Sequence, residues 1–236
     1  MAKRFVAACA LLALFVVTSA PARAEVVPIG RRTVAPGLVT FQVRLPQPNV
    51  AYVARVSRTA AIDLRVATTR SSSDRLAPTS YLCGDCLVAV NGGFFNVGTG
   101  LPVAGQWPAA LAALLDPARR ATVHTVQWLM KDGKVWPFAN TSFAQGRHPR
   151  TFLFGNRAGS TWLATVDGRQ PGYSVGMTLP EVVSLARSLG AWWVVNLDGG
   201  CSTTFVVEGV VKNRPCRDSL TRNGERPVAN AIVVMP

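Results

Sequence analysis

Ala191-Trp-Trp-Val-Val-Asn-Leu-Asp-Gly-Gly200 combines an apolar run, a carboxylate and two glycines. Its first five residues are wholly apolar, which predicts a short strand buried on both faces. The strand leads into Asn196-Leu197-Asp198, and a carboxylate at the end of a buried strand destabilises a fold unless it is paired or functional. Gly199 and Gly200 leave space beside that carboxylate because they lack a Cβ atom. We therefore expect a functional site here, with Asp198 at its centre.

The segment just before this strand carries the start and stop signals of a helix. Thr178 and Glu181 form a capping-box pattern, and Pro180 is tolerated in the first turn. Apolar residues then recur at spacings of three and four, and Gly190 supplies the stop. The pattern predicts one amphipathic helix over residues 179–189.

Most of the remaining sequence has strand patterns. Apolar and alternating runs predict strands at residues 38–45, 51–56, 62–67, 86–90, 123–130, 134–138, 161–166, 204–207, 210–212 and 228–235. Asp132-Gly133 and Glu208-Gly209 predict the turns of two hairpins. Residues 70–78, 96–108 and 140–150 are predicted loops. We therefore expect a single α+β domain, with a strand-rich mixed or antiparallel sheet and few helices.

The N-terminus resembles an export signal. Lys3 and Arg4 precede an apolar run over residues 5–20, and Ala22-Arg23-Ala24 has the small-x-small pattern of a cleavage site. The alternative is a membrane anchor, but the run is shorter than the roughly 20 residues that a bilayer requires. We predict a signal peptide over residues 1–24 and a secreted or periplasmic mature domain over 25–236 without a membrane span.

The charge of the chain bears on its partners. The formal net charge is +13, and loss of three basic residues (Lys3, Arg4 and Arg23) with the signal leaves +10. A basic exported protein attracts acidic polymers, and phosphate-bearing glycans fit that description. Nucleic acid is an unlikely partner, because no basic run is interleaved with aromatics and no nucleic-acid motif is present. Solvated surface arginines account for the charge equally well. The sequence leaves the oligomeric state open.

Four cysteines remain after Cys9 leaves with the signal. An even number in an oxidising compartment predicts structural disulfides, with three pairings open. Cys83-Gly84-Asp85-Cys86 is compatible with a local loop, a redox pair or half of a zinc site. A structural zinc site would require a second CxxC or a His pair, and the sequence has neither. We therefore predict no metal site.

Two further glycine-rich turns follow predicted strands. In Asn91-Gly-Gly-Phe-Phe95 the glycine N–H groups can face an anion, although a plain tight turn with two core aromatics is the alternative. Asp167-Gly168-Arg169 would be a hairpin turn, except that Gln170-Pro171-Gly172 does not look like a returning strand. Both turns are candidate parts of the site.

These motifs allow a specific chemistry. Two carboxylates, Asp198 and Asp167, can divide the nucleophile or base role and the acid role of a glycosidase. Arginine binds phosphate oxygens in a bidentate manner, and Arg150 and Arg226 are the candidates.

Two other nucleophiles are weaker candidates. Cys201 with His124 or His148 would make a cysteine hydrolase, but the even cysteine count favours a disulfide. Ser202 lacks the G-x-S-x-G elbow of many serine hydrolases. The carboxylate chemistry is therefore the leading hypothesis.

The order of motifs resembles the phosphodiester glycosidase family. These motifs are NGGFF (91–95), WLMKDGKV (128–135), HPRT (148–151), VDGR (166–169), VNLDGGCSTT (195–204), NRP (213–215) and RPVANAIVV (226–234). The resemblance covers roughly residues 88–236. The family includes the "uncovering" enzyme, which removes N-acetylglucosamine from a phosphodiester on mannose. The resemblance implies hydrolysis of a glycosyl–phosphate bond.

The resemblance also implies a set of site residues. They are Asn91, Gly92, Gly93, Arg150, Thr151, Asp167, Asn196, Asp198, Gly199, Gly200, Ser202 and Arg226. We assign Asp198 and Asp167 as catalytic and the others as substrate-binding. No cofactor is implied; the carboxylates are compatible with a divalent cation, but no ligand spacing demands one.

The sequence departs from the family pattern at two places. Cys201 stands where the family has a third glycine, and its side chain would narrow the pocket or tie it to Cys216. The family's RTAxG becomes Arg150-Thr-Phe-Leu-Phe-Gly155, with bulkier residues. The alternative function is therefore a non-catalytic protein that binds anionic glycans on the same scaffold, with Cys201 marking a lost activity.

Overall fold

The strands of this protein pair into two antiparallel sheets. The computed structural model describes residues 26, 28–45, 47–69, 75–101 and 127–236. The strands are β1 (Pro28–Ala35), β2 (Leu38–Leu45), β3 (Asn49–Val56), β4 (Asp63–Thr68), β5 (Val88–Asn91), β6 (Gln127–Lys131), β7 (Lys134–Val135), β8 (Arg150–Gly155), β9 (Thr161–Val166), β10 (Trp193–Asn196), β11 (Phe205–Val207), β12 (Val210–Val211) and β13 (Asn230–Met235). One sheet has the order β1-β2-β3-β9-β8-β10-β6-β7, and the other has the order β12-β11-β5-β13-β4.

Alternation of side chains along the strands produces three apolar layers. On β9, Leu163 packs between the sheets, whereas its neighbours Trp162 and Ala164 pack on the outer face of the larger sheet. That outer face is covered by a helix, α3 (Leu179–Ser188). The outer face of the smaller sheet is covered by a short helix, α1 (Thr79–Cys83). The domain is therefore a helix–sheet–sheet–helix sandwich.

The predicted fold class is confirmed in its main features. The domain is single and strand-rich, and every ladder between the described strands is antiparallel. Strands β2 and β9 have the predicted bounds, and the helix predicted over 179–189 is present as α3. Residues 1–24 and 123–126 lie outside the described residues, so the signal peptide stays a prediction.

Both predicted hairpin turns are present. Asp132 (φ 50°) with Gly133 (φ 76°), and Glu208 (φ 49°) with Gly209 (φ 74°), have the two left-handed residues of a type I′ turn. They connect β6 to β7 and β11 to β12.

Strand β1 and three further elements fall where the sequence predicted loops or nothing regular. Helix α2 (Ser142–Gln145) lies inside the predicted loop 140–150, and neither α1 nor strand β8 was predicted. All six residues of β8 are buried, so the strand shows no alternation of polar and apolar residues that would have revealed it. The last residue of β8, Gly155, has no room for a side chain, because a Cβ atom there would lie 2.5 Å from the Trp193 ring.

The CxxC sequence forms a local disulfide. Cys83 and Cys86 are bonded to each other across the turn that follows α1. The pairing agrees with the predicted structural disulfide, and a zinc ligand pair is excluded in this state because both sulfurs are used.

The capping box of α3 provides a test of the local folding signals. Thr178 Oγ1 accepts a hydrogen bond from Glu181 N (3.3 Å), and Glu181 Oε2 accepts one from Thr178 N (2.9 Å). We expect Thr178→Ala to reduce the free energy of unfolding by about 1 kcal/mol, as measured by urea denaturation. Ser184→Ala, on the exposed side of the same helix, is the control and should change stability little. Equal effects of the two substitutions would contradict the capping role.

Strand ends from both sheets meet at one rim of the sandwich. Among them, β2, β4, β5, β9 and β10 end there, and β3, β6, β8, β11 and β13 begin there. The register fixes this arrangement, since Arg150 lies opposite Val166 and Asn91 lies opposite Ala231. The loops attached to these ends carry nearly all of the predicted site residues. Among the described residues, no helix is long and apolar enough to cross a membrane.

Candidate active site

Asn91 joins the two sheets beneath the site. Its Nδ2 donates to the carbonyl of Asp198 (2.7 Å), and its Oδ1 accepts from Thr151 Oγ1 (2.6 Å) and from Thr204 N (3.2 Å). The side chain is fully buried. Because both polar ends of the amide are engaged, Asn91 holds Thr151 and the backbone of Asp198 in place.

The two glycines after Asn91 allow strand β13 to approach closely. Gly92 N donates to the carbonyl of Asn230 (2.9 Å), and Gly93 N donates to Asn230 Oδ1 (2.9 Å). A Cβ atom on Gly92 would lie 1.8 Å from that Oδ1. The sequence prediction that these N–H groups face an anion is therefore corrected: Asn230 occupies both, and the glycines are needed for packing.

Asp198 is the carboxylate that opens onto the rim. It is partly exposed, and its Oδ1 accepts a hydrogen bond from Gly199 N (2.9 Å). Burial raises the pKa of Asp198 to about 6, against the opposing effects of the Ser202 hydroxyl, the Arg226 charge and the Gly199 N–H group. At pH 7 such a group is about nine-tenths ionised. It can therefore act as a nucleophile or base at neutral pH.

The loop after Asp198 packs on the segment before β8. Gly200 N donates to the carbonyl of Pro149 (2.9 Å), and a Cβ atom on Gly199 would lie 2.7 Å from the same oxygen. Gly200 has a left-handed φ of 62°, which favours glycine. Both glycines are thus required for the position of Asp198.

Several buried polar atoms near this rim have no hydrogen-bond partner among the described residues. They are Ser202 Oγ, Arg226 Nε, Asn230 Nδ2 and both amide atoms of Asn196. Buried polar atoms are paired in the large majority of cases. Ser202 and Arg226 also act on the pKa of Asp198, so both side chains lie close to its carboxylate.

Arg226 lies close enough to Asp198 for its charge to act on the pKa of that carboxyl. Its guanidinium lies 5.9 Å from the centre of the Phe95 ring, and Nη1 is 3.6 Å from Asp218 Oδ2. This ion pair is long, so the guanidinium retains donors for a ligand.

Asp167 is held entirely by the protein. Its Oδ1 accepts from Asn213 Nδ2 (2.8 Å), and its Oδ2 accepts from Tyr173 Oη (2.9 Å) and Arg214 N (2.9 Å). The residue is 1% exposed, and burial raises the pKa of its carboxyl against the effect of these hydrogen bonds. Asp167 therefore anchors the loops that carry Tyr173 and Arg214.

Arg150 is likewise a buried structural centre. Its Nε donates to Met177 O (2.8 Å), and its Nη2 donates to Phe143 O (2.6 Å) and Gly146 O (2.9 Å). The residue is 1% exposed, and burial, with the charge of Arg169, lowers the pKa of Arg150 to about 10. Three of the five N–H groups of its guanidinium are therefore used on backbone carbonyls, and contact with phosphate stays a prediction for this residue.

Arg169 is a site residue that the sequence reasoning missed. Its guanidinium is exposed, with Nη2 3.2 Å from His148 Nδ1 and Nη1 3.9 Å from Cys201 Sγ. In the described part of the chain no carboxylate pairs with it. Its left-handed φ of 59° is unusual for a non-glycine residue. The sequence held one signal for this role: Asp167-Gly168-Arg169 resembles a hairpin turn, but no strand pattern follows it.

His148 shares this corner of the site. Burial, together with the charges of Arg150 and Arg169, lowers the pKa of His148. The imidazole is therefore neutral at pH 7 and can accept a hydrogen bond from Arg169.

Cys201 is not a free thiol in this structure. It is bonded to Cys216, which connects the Asp198 loop to the segment that follows Asn213 and Arg214. The cysteine-hydrolase alternative is excluded in this state because it requires a thiolate. His124 lies outside the described residues. Within those residues, no three side chains of His, Cys, Asp or Glu come together as metal ligands would.

Comparison with known proteins identifies the family. A family model described as phosphodiester glycosidase matches residues 105–235. This chain belongs to that family. A search among curated proteins finds no match.

Two solved structures share the fold. The catalytic domain of zebrafish N-acetylglucosamine-1-phosphodiester alpha-N-acetylglucosaminidase, auto-inhibited by its pro-peptide, is similar with a TM-score of 0.61 and 16% identity, over 90% of this chain and 88% of that chain. A hypothetical protein from Synechocystis is similar with a TM-score of 0.66 and 16% identity, over 89% of this chain. The present chain spans 64% of the length of the Synechocystis protein.

Proposed function

We propose that this protein is a secreted glycoside hydrolase that cleaves the glycosyl–phosphate bond of sugar 1-phosphodiesters in phosphate-bearing glycans. The observation that carries the proposal is Asp198, a carboxylate with a raised pKa beside an arginine and unpaired buried polar atoms. Perturbed pKa values in a polar cleft are typical of catalytic groups. Membership of the phosphodiester glycosidase family supports the reaction class.

In the proposed reaction, Asp198 acts as the ionised carboxylate at the anomeric carbon. It stabilises the oxocarbenium-like centre by direct attack or by activating a water molecule. The bond from the anomeric carbon to the phosphate oxygen breaks, and the phosphate monoester leaves with the electron pair. A water molecule forms the new bond to the anomeric carbon, directly or by hydrolysing the glycosyl ester of Asp198, and its proton passes to the solvent. Phosphate is a good leaving group, so the reaction does not depend on a strong general acid.

The phosphate is held by arginines in this proposal. Arg226 and Arg169 have donors available at the rim, and guanidinium forks match phosphate oxygens. Asp167 and Asn91 are positioning residues, because protein partners already satisfy their polar groups. We assign Arg150 the same role, because three of its N–H groups bind backbone carbonyls.

Export is part of the proposal. The two disulfides suit an oxidising compartment, which agrees with the signal pattern of residues 1–24. The net positive charge of the mature chain would favour contact with anionic envelope or extracellular glycans.

The direct test is turnover of a defined panel. Purified mature protein is incubated with alkyl and aryl 1-phosphodiesters of several sugars, and free sugar is measured. We expect release from at least one α- or β-linked member. A folded protein that binds a panel member but releases no sugar from any would refute the enzyme and favour the glycan-binding alternative.

The raised pKa of Asp198 predicts the pH dependence. The reactive form is ionised, so kcat/KM should rise as pH increases through about 6 and level off above pH 7. A phosphodiester keeps its single negative charge over this pH range, so the change in kcat/KM reports the ionisation of a group on the enzyme. The measurement is a kcat/KM profile from pH 4.5 to 8.5, with circular dichroism at each pH as the control for folding. Activity that rises toward pH 5 would contradict the assigned protonation state.

A further inference from the structure

A cleft lies between the β2–β3 turn and the turn that contains Gly172. It has a volume of about 400 Å³, within the size range of small-molecule sites. We call it the tyrosine groove, and its principal lining residues are Gln42, Arg44, Asn49, Tyr52, Gly172 and Tyr173. None of these residues has a part in the proposed catalytic machinery.

The walls of the tyrosine groove are fixed by hydrogen bonds between the two turns. Val50 N donates to Ser174 Oγ (3.1 Å), Val175 N donates to Pro48 O (2.9 Å), and Gly176 N donates to Asn49 Oδ1 (2.7 Å). A ligand would therefore enter a preformed cleft, which reduces the entropy lost on binding.

Two tyrosines give the groove neutral, amphipathic walls. Their hydroxyl groups are 3.3 Å apart, and the Tyr173 hydroxyl donates to Asp167. Burial raises the pKa of both phenols, so both are neutral at physiological pH. Tyr52 is 8% exposed, its ring packs on Phe205, and it lines the groove. The ring of Tyr173 is more exposed.

The charge in the groove is positive. Arg44 is the charged residue of the lining, it is exposed, and none of the described carboxylates forms a salt bridge with it. The guanidinium of Arg214 lies 5.3 Å from the centre of the Tyr173 ring. The carboxylate of Asp167 accepts a hydrogen bond from the Tyr173 hydroxyl and two more from other protein donors. A ligand in the groove therefore meets cations at its outer side.

We propose that the tyrosine groove binds a pyranose unit that carries a phosphate or carboxylate group. Tyrosine offers an apolar ring and a polar hydroxyl, which suits the two kinds of surface on a sugar. The Gln42 amide supplies donors and an acceptor for sugar hydroxyls, and Arg44 supplies a fork for the anion. Such a subsite would hold one unit of a glycan, and it binds whether or not the protein is a hydrolase.

The test is a titration of ¹⁵N-labelled mature protein, followed by the backbone amide shifts. The probes are glucose 6-phosphate, glucuronate, glucose and inorganic phosphate. We expect the two anionic sugars to shift the amides of Val50, Tyr52 and Tyr173, with glucose and phosphate binding about tenfold more weakly. The two anionic probes distinguish phosphate from carboxylate as the preferred group.

Two matched variants make the assignment specific. Arg44→Gln should weaken binding of the anionic sugars about tenfold, the scale of one charge-assisted contact. Arg55→Gln changes an exposed arginine on the neighbouring strand, whose guanidinium lies over Trp162, and should leave binding unchanged. Shifts confined to the Asp198 loop, or equal affinities of the two variants, would overturn the groove assignment. Turnover of phosphodiesters is measured separately, so failure of either proposal is recognisable by itself.

Discussion

Asp198→Asn will lower kcat for sugar 1-phosphodiester hydrolysis by about 100-fold or more, the scale of a group that acts in the transition state. The amide has nearly the same shape as the carboxylate but cannot stabilise positive charge at the anomeric carbon or accept a proton. Its oxygen can still accept the hydrogen bond from Gly199 N, so the loop should keep its position. The measurement is single-turnover and steady-state release of sugar from a panel member that the wild type hydrolyses.

The same substitution should make the protein more stable at neutral pH. The pKa of Asp198 is about 6 in the folded state against 3.8 as the reference value, so folding opposes its ionisation. This destabilisation is fully present above about pH 6, declines as the pH falls, and is absent below the reference pKa. We expect Asp198→Asn to gain about 1–3 kcal/mol in urea unfolding at pH 7. Little of that gain should remain at pH 4.

Asp63→Asn is the control for this pair of measurements. Asp63 is exposed at the start of β4 and pairs with Arg65, so its substitution should change stability by less than about 0.5 kcal/mol and leave turnover intact. A less stable Asp198→Asn protein, or one with undiminished turnover, would mean that Asp198 has a structural role. The combination of lower activity and higher stability is what a functional carboxylate at a buried strand end predicts.

The position of Asp198 was predictable because it rests on local rules. An apolar pentapeptide followed by Asn-Leu-Asp-Gly-Gly is enough to place a carboxylate at a strand end, and strand β10 bears this out. The capping box of α3 and the two type I′ turns are equally local, since each depends on residues within four positions of one another. Such signals do not need the tertiary structure to be interpreted.

The partners of the other site residues were not predictable, because the sequence does not show which side-chain and backbone groups the fold brings together. Asn230 lies 137 residues from Gly93, and its side chain takes the N–H group that the sequence suggested for an anion. Arg150 looked like a phosphate ligand because arginines often are, yet its carbonyl partners lie on α2 and just before α3. Strand β8 was missed for a related reason: it is buried on both faces by elements distant in sequence.

Arg150→Ala should reduce the free energy of unfolding by about 2–4 kcal/mol. Three hydrogen bonds from a charged group are lost, each worth about 1.5–3 kcal/mol, and the guanidinium also leaves the Phe143 ring, 4.7 Å away. Against this, the pKa of about 10 indicates that burial disfavours the charge, and its removal recovers roughly 3 kcal/mol. The hydrogen bonds outweigh that relief because their carbonyls stay buried and unpaired. Urea denaturation at pH 7 measures the net effect.

Arg169→Ala is the matched comparison, since the two arginines are neighbours with opposite surroundings. Arg169 is exposed and makes no hydrogen bond to a backbone carbonyl within the described residues, so its loss should change stability by less than about 0.5 kcal/mol. If it holds the phosphate, KM should rise about tenfold or more. Arg150→Lys keeps the charge but not the fork, and should lose stability with a fall in kcat and little change in KM. A stable Arg150→Lys protein with a raised KM would instead mean that Arg150 binds the phosphate and that Arg169 does not.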